Sequence, residues 1–175
     1  ERFDKANIWI KYIISQIRNF MQDQILEVGA GCGSFTKSYM EKFKSITLTD
    51  LDNNSVKLLK KNFSKNENIK ILSQTTGEIQ ERFNTIIYFN VLEHVKDDIS
   101  EINSALEKLN LGGYLIILVP AHQKIYSKLD KAVGHYKRYD IDFFHNNKFK
   151  NSKIVRLRFL DFFGYFLYHF NKIFF

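Results

Sequence analysis

Ile25-Leu26-Glu27-Val28-Gly29-Ala30-Gly31-Cys32-Gly33-Ser34 is the stretch from which the rest of the chain can be read. A short apolar run ends in three glycines at alternate positions. A segment with helical apolar spacing comes directly after, through Phe35, Tyr39, Met40 and Phe43. Such a strand–loop–helix junction uses glycine where the backbone takes angles that a Cβ disfavours and where a ligand lies against the main chain. N–H groups at the head of the expected helix would then face a polar or anionic ligand. The spacing is G-x-G-x-G, and Ser34 stands where the dinucleotide fingerprint has its third glycine, which disfavours an NAD-dependent enzyme.

Outward from this junction the same rhythm repeats. Ile10, Ile13, Ile14 and Ile17 give an amphipathic helix before the first strand, residues 25–28. Strand two is expected at 46–49, ending at Asp50, then a helix marked by Val56, Leu59 and Phe63, and strand three at 68–72. Strand four covers 85–89. Ile99, Ile102, Leu106 and Leu109 predict a helix stopped by Gly112-Gly113, and strand five covers 114–119, before the only proline, Pro120. Alternating strands and helices predict an α/β fold, a doubly wound and mostly parallel sheet covered on both faces. Residues 153–160 alternate in a way that suggests a sixth strand, and no residues remain for a seventh. Residues 1–175 are therefore expected to form a single domain truncated at its C-terminus.

At 45% hydrophobic and 26% charged residues the chain reads as globular and large enough for a core. One cysteine, Cys32, excludes an internal disulfide framework, suits a reducing compartment and is assigned no chemistry. No signal-peptide pattern and no apolar run of membrane-spanning length is present, so a cytoplasmic location is expected. The net charge of +7 is localised: residues 1–121 carry 15 basic and 15 acidic side chains, whereas 122–158 carry 10 basic and 3 acidic. That tract implies an anionic partner or a solvated face. Beyond it, nine of the fourteen residues 162–175 are aromatic, counting His169. Either a core element or an amphipathic segment contacting the inner membrane face peripherally would account for them.

Together with Glu27 in the first strand, the glycine run resembles motif I of class I S-adenosylmethionine-dependent methyltransferases. The segment Asn90-Val91-Leu92-Glu93-His94-Val95 resembles the one after strand four in small-molecule members. Pro120-Ala121-His122, Asp130 and Gly134-His135-Tyr136-Lys137-Arg138-Tyr139 are similar to one bacterial branch with Pro-Ala-His and Gly-His-Tyr-Arg-Arg-Tyr motifs, some members of which are fused to glycosyltransferases. The resemblance implies a Rossmann-like fold, S-adenosyl-L-methionine as cofactor, and methyl transfer to a small or lipid- or glycan-linked acceptor. It implies cofactor contacts at Glu27, Gly29, Gly31, Gly33, Asp50, Leu51, Thr76 and Asn90. Asp50 lies 21 residues after Gly29, where a carboxylate can accept ribose hydroxyls, while Asp52 and Asn53 are better placed to cap the next helix. The sequence departs from the branch at Asn84, in place of an Asp, and at Thr75-Thr76, where relatives carry the acid that reads the adenine amine.

His122, Tyr126, Asp130, His135, Arg138 and Tyr139 fall within 18 residues of one loop leaving strand five. Such a cluster can hold an anionic or hydroxylated substrate and take its proton, with His135 or His122 as general base and Tyr126, Asp130, Arg138 and Tyr139 on the substrate. A lid folded on itself by Tyr–Asp hydrogen bonds is the structural alternative. His94 stands open between ligand contact and packing. His135 and Asp130 alone do not make a metal site, and none is expected. Two other functions compete: a cofactor-binding domain without catalysis, and an RNA methyltransferase using the basic tract with Tyr126, Tyr136 and Tyr139 as stacking platforms. Nucleic acid is the less favoured partner.

Overall fold

A computed structural model describes residues 2–160. Helix α1 (Arg2–Ile17) leads into β1 (Ile25–Val28), β2 (Ile46–Thr49), α2 (Asn53–Asn62), β3 (Ile69–Leu72), β4 (Phe83–Phe89), α3 (Asp98–Glu107), β5 (Leu109–Leu118), and two short helices, α4 (Lys128–Ala132) and α5 (Ile141–Asn146). The five strands form one parallel sheet in the order β3-β2-β1-β4-β5. The order reverses at β1, so the carboxyl ends of β1, β2 and β4 converge on the glycine loop.

Both faces of the sheet are covered, as the near-continuous apolar strands require. Ile25 and Ile87 point into one core with Ile13 and Ile14 of α1, Leu59 of α2 and Phe63 at its C-terminal end. Leu26, Ile86 and Tyr88 point into the other with Ile102 and Ala105 of α3, Leu92 and Tyr139. Helix starts are set by local chemistry. Asp52 caps α2 by accepting from Ser55 N–H at 2.8 Å, and Asp97 caps α3 by accepting from Ser100 N–H at 3.1 Å.

Three elements differ from the expectation from sequence. After the glycine loop there is no long helix but two 3-10 turns, Thr36–Ser38 and Met40–Lys42. Tyr39, with φ −132°, interrupts the helical path while its side chain is buried beside Glu27. Anion binding by a helix head is therefore unavailable here, and the loop N–H groups of Ala30, Gly31 and Gly33 bond within the chain. Gly112-Gly113 do not stop a helix but belong to a bulge in β5. Phe83 pairs with Leu109 and Thr85 already with Tyr114, so β5 spends three more residues than β4 over this step. A Cβ at Gly113 would sit 2.9 Å from Asn84 O, which is why the bulge needs glycine. Residues 153–160 form no strand, because side-chain alternation makes a strand only where a neighbour accepts its main-chain bonds. They are tied instead by Arg156 and Arg158 to Gln16. Residues 162–175, with their aromatic segment, lie outside the described residues.

Candidate active site

The loop after β1 turns on Gly29 (φ 63°), Gly31 (φ 58°) and Gly33 (φ 78°), all left-handed. Two of them are also enclosed. A Cβ at Gly29 would lie 2.6 Å from Val91 Cγ2, and one at Gly33 would lie 2.3 Å from the Phe63 ring. At Gly31 nothing lies within 4 Å of the Cβ position. The open side of the loop is therefore at Gly31. Asp50 stands beside it: Oδ2 accepts from Gly31 N–H at 2.8 Å and Oδ1 from Asp52 N–H at 2.9 Å. Each oxygen keeps capacity for a further donor such as a ribose hydroxyl. Leu51, 65% exposed, offers an apolar surface next to that carboxylate.

Glu27 lies in the core beneath this segment. It is buried, and its Oε2 accepts from Thr36 Oγ1 at 2.7 Å and Tyr39 Oη at 2.5 Å. It thus binds the segment after the loop to β1, and bears on a ligand through the position of the loop. Burial pushes its carboxyl up to about 7, against the lowering effect of the Tyr39 and Thr36 bonds. The folded state therefore holds a proton that the unfolded chain releases near 4.5. The stabilisation tied to that proton is complete below the unfolded pKa and is lost as pH rises through about 7. Glu27→Gln should flatten this fall by roughly 2–3 kcal/mol between about pH 5 and about pH 8. Urea unfolding at both pH values measures it, and an unchanged difference overturns the assignment.

The Thr76 hydroxyl does not face the cleft. Thr76 is buried, donates to Glu101 Oε1 at 2.6 Å and lies 3.0 Å from Tyr88 Oη. Its hydroxyl is thus engaged within the protein, away from the adenine contact expected of it. Asn90 is exposed, with φ 53°, and its N–H bonds Leu118 O at 2.8 Å. It opens onto a cavity of about 1350 Å³ that runs along β5 and is bounded by His122, Arg138 and Tyr139. Gly29, Gly31, Gly33 and Asp50 do not line that cavity. The glycine loop and the large cavity are thus separate regions, with Asn90 on the edge of the cavity.

The 122–139 loop begins and ends at one place, because His122 N–H bonds Tyr139 O at 3.0 Å and Tyr139 N–H bonds Pro120 O at 2.9 Å. Tyr139 is buried, its hydroxyl lying 2.9 Å from Leu92 O and 2.8 Å from Asp98 Oδ2. Its hydroxyl is thus turned into the core, away from the substrate contact expected of it. Tyr126 donates to His135 O at 2.6 Å and likewise fastens the loop. Asp130 is buried and closes a capping box with Ser127, so it too faces the protein. Its Oδ1 also meets Arg138 Nε at 2.8 Å and His135 Nδ1 at 3.0 Å. Burial alone would raise the Asp130 carboxyl, but the bonds from Ser127, Arg138 and His135 prevail and bring it to about 2. For Tyr126, Asp130 and Tyr139 the self-folded lid describes the geometry.

What the loop presents is His135, whose ring meets that of His94 edge-on at 4.8 Å between centroids. Asp130 accepts from His135 Nδ1–H, and the Gly134 carbonyl lies 3.2 Å from His94 Nδ1, so both rings are held by Nδ1. Burial first, and the neighbouring His135 second, hold the His94 imidazole below its ordinary pKa. His122 instead stacks on Phe159 at 4.6 Å. Glu93 joins the two rings: it is 1% exposed, and Tyr136 N–H bonds its carbonyl at 2.7 Å. In sequence Glu93 stands out only as a helix start, since 42 residues separate it from His135.

Comparison with known proteins matches residues 9–157 to a family model described as a methyltransferase domain. Among similar curated proteins, the ribosomal protein L11 methyltransferase of Staphylococcus aureus is 30% identical over 119 residues, covering 63% of this chain and 37% of that protein. The ribosomal RNA small subunit methyltransferase A of Fusobacterium nucleatum is 28% identical over 118 residues, 64% of this chain and 44% of that protein. The chain spans less than half the length of either. Among solved structures, the N-methyltransferase NodS from Bradyrhizobium japonicum, in complex with S-adenosyl-L-homocysteine, superposes with a TM-score of 0.61 at 17% identity, over 77% of this chain and 67% of that one. No helix among the described residues is long and apolar enough to cross a membrane. With a parallel sheet that reverses at β1 and a glycine loop open at Gly31 beside Asp50, the match over residues 9–157 makes this chain a member of the methyltransferase domain family.

Proposed function

We propose that this chain transfers a methyl group from S-adenosylmethionine to a small or lipid- or glycan-linked acceptor. The observation behind this reading is an open Gly31 beside the Asp50 carboxylate at the carboxyl ends of β1 and β2, with the His94–His135 pair held beyond β4. When bound, the cofactor supplies a sulfonium-activated methyl group that is already electrophilic, so the protein contributes alignment and proton handling. Gly31 and Asp50 hold one end of the site, Leu51 covers an apolar part of the ligand, and Asn90 borders the acceptor. Asp130 fixes His135 with its proton on Nδ1, so Nε2 can take the proton of a hydroxyl, carboxyl or ammonium acceptor.

Calorimetry tests the cofactor half. S-adenosylmethionine or S-adenosylhomocysteine should bind and NAD should not. Asp50→Ala should weaken binding by roughly 1.5–3 kcal/mol, the worth of hydrogen bonds to a charged group. Tight NAD binding, or an affinity indifferent to Asp50→Ala, overturns the reading.

An RNA acceptor is the second reading, favoured by the basic 122–158 tract. Much of that charge is engaged within the chain. Lys137 pairs with Asp98 at 2.8 Å, Arg138 with Asp130, and Lys150 with Glu107 at 3.1 Å, while Arg156 and Arg158 bond Gln16. RNA binding that falls steeply with salt would revive it.

A further inference from the structure

We infer that Glu93, His94 and His135 form a binding site for a divalent transition cation of the zinc type. One ligand atom from each of the three lies within 4.8 Å of the other two. The donor set, two imidazoles and one carboxylate, is the kind that takes borderline cations, with a fourth position left for water or a substrate oxygen. Tetrahedral bonds of about 2.0–2.2 Å put ligand atoms roughly 3.4 Å apart, so the three side chains would close up around the ion.

Two observations beyond proximity point to a cation. Glu93 is 1% exposed, yet neither of its carboxylate oxygens accepts a hydrogen bond from another described residue. The Arg138 charge acts on this carboxylate without a hydrogen bond to it, so its burial stays costly unless a cation or a donor meets the oxygens directly. Both imidazoles are also arranged as metal-binding histidines are. The Asp130 carboxylate holds His135 by Nδ1, the Gly134 carbonyl holds His94 by Nδ1, and each Nε2 keeps its lone pair. Gly134, with φ 88°, brings its carbonyl to the ring: a Cβ there would stand 3.5 Å from His94 Nδ1. His94 is exposed, which gives an ion a route in from solvent.

The pair His135–Asp130 alone does not suggest a metal. The two added ligands come from the turn after β4, Leu92–His94, which Tyr136 N–H fastens to the 122–139 loop through the Glu93 carbonyl. A cation and a proton compete for the same His135 Nε2 lone pair. With the ion bound, coordination would lower the pKa of an acceptor hydroxyl so that its proton passes to solvent water, and His135 would serve as a ligand instead of as a base.

The test uses the tag-free full chain, stripped with a chelator and titrated with Zn²⁺ against a chromophoric competitor, with no S-adenosylmethionine and no acceptor present. One equivalent should bind, and added Zn²⁺ should raise the thermal midpoint. Glu93→Gln and His94→Ala should each weaken binding about tenfold or more and remove the thermal shift. Absence of saturable binding, or binding that His94→Ala leaves unchanged, overturns the site. His94 is exposed, so its variant decides the question even if Glu93→Gln fails to fold. The cofactor titrations on Asp50 stand or fall separately from this result.

Discussion

His135→Ala should lower methyl transfer by roughly 10²–10⁴-fold, the usual contribution of a positioned acid–base group, while S-adenosylmethionine affinity stays within a few-fold. His135 lies on the 122–139 loop, and its bond to Asp130 is separate from those that join Asp50 to Gly31 and Asp52. Loss of turnover with retained cofactor binding therefore separates the acceptor half of the site from the cofactor half. Transfer of a labelled methyl group into a cell extract, read by mass spectrometry, supplies the assay and identifies the acceptor at the same time. Asp130→Asn is the companion variant. It keeps the shape but removes the charge that meets both Arg138 Nε and His135 Nδ1. If orientation by Asp130 matters, Asp130→Asn should reproduce part of the His135→Ala loss and move the pH profile of turnover. Full activity in both variants would place acceptor activation elsewhere. A loss that only tracks unfolding, seen as a matching fall in thermal midpoint, would leave the loop a purely structural lid.

Gly33→Ala should destabilise the domain by roughly 2–5 kcal/mol, from left-handed strain of about 1–2 kcal/mol together with overpacking of about 1–3 kcal/mol. The new Cβ would overlap the Phe63 ring at 2.3 Å, and Phe63 belongs to the buried core on the α2 face. Gly31→Ala carries similar backbone strain at φ 58° but meets no atom within 4 Å. It should cost only about 1–2 kcal/mol of stability, and its methyl group should occupy the space a ligand needs. Urea unfolding and S-adenosylmethionine calorimetry on both variants should therefore rank them in opposite orders: Gly33→Ala worse in stability, Gly31→Ala worse in binding relative to its stability. Equal ranking in the two measurements would mean that Gly31 is not the open face of the loop.

Local patterns carried much of the architecture. Strands β1 and β2 fall on the residues their apolar runs mark, Asp52 caps α2 as its position before the apolar spacing indicates, and α1 buries Ile13 and Ile14 from its i, i+3, i+4, i+7 series. Glycine spacing located the loop because left-handed φ values and close packing act on single residues. Tertiary structure decided the rest. Gly112-Gly113 serve a bulge because β4 lies alongside, and Tyr39 breaks a helical pattern because its hydroxyl reaches Glu27 in β1. Tyr126, Asp130 and Tyr139 have the polar groups of substrate contacts, yet bonds to His135 O, Ser127 and Leu92 O turn them inward. Glu93, His94 and His135 meet only after the 122–139 loop folds back on the turn beyond β4. Propensity and periodicity act over a few residues, so the sequence alone located strands β1 and β2 and the glycine loop. Short-range bonds within the 122–139 loop turn Tyr126, Asp130 and His135, and bonds between residues some forty positions apart place His94 and Tyr139, which only the folded chain brings together.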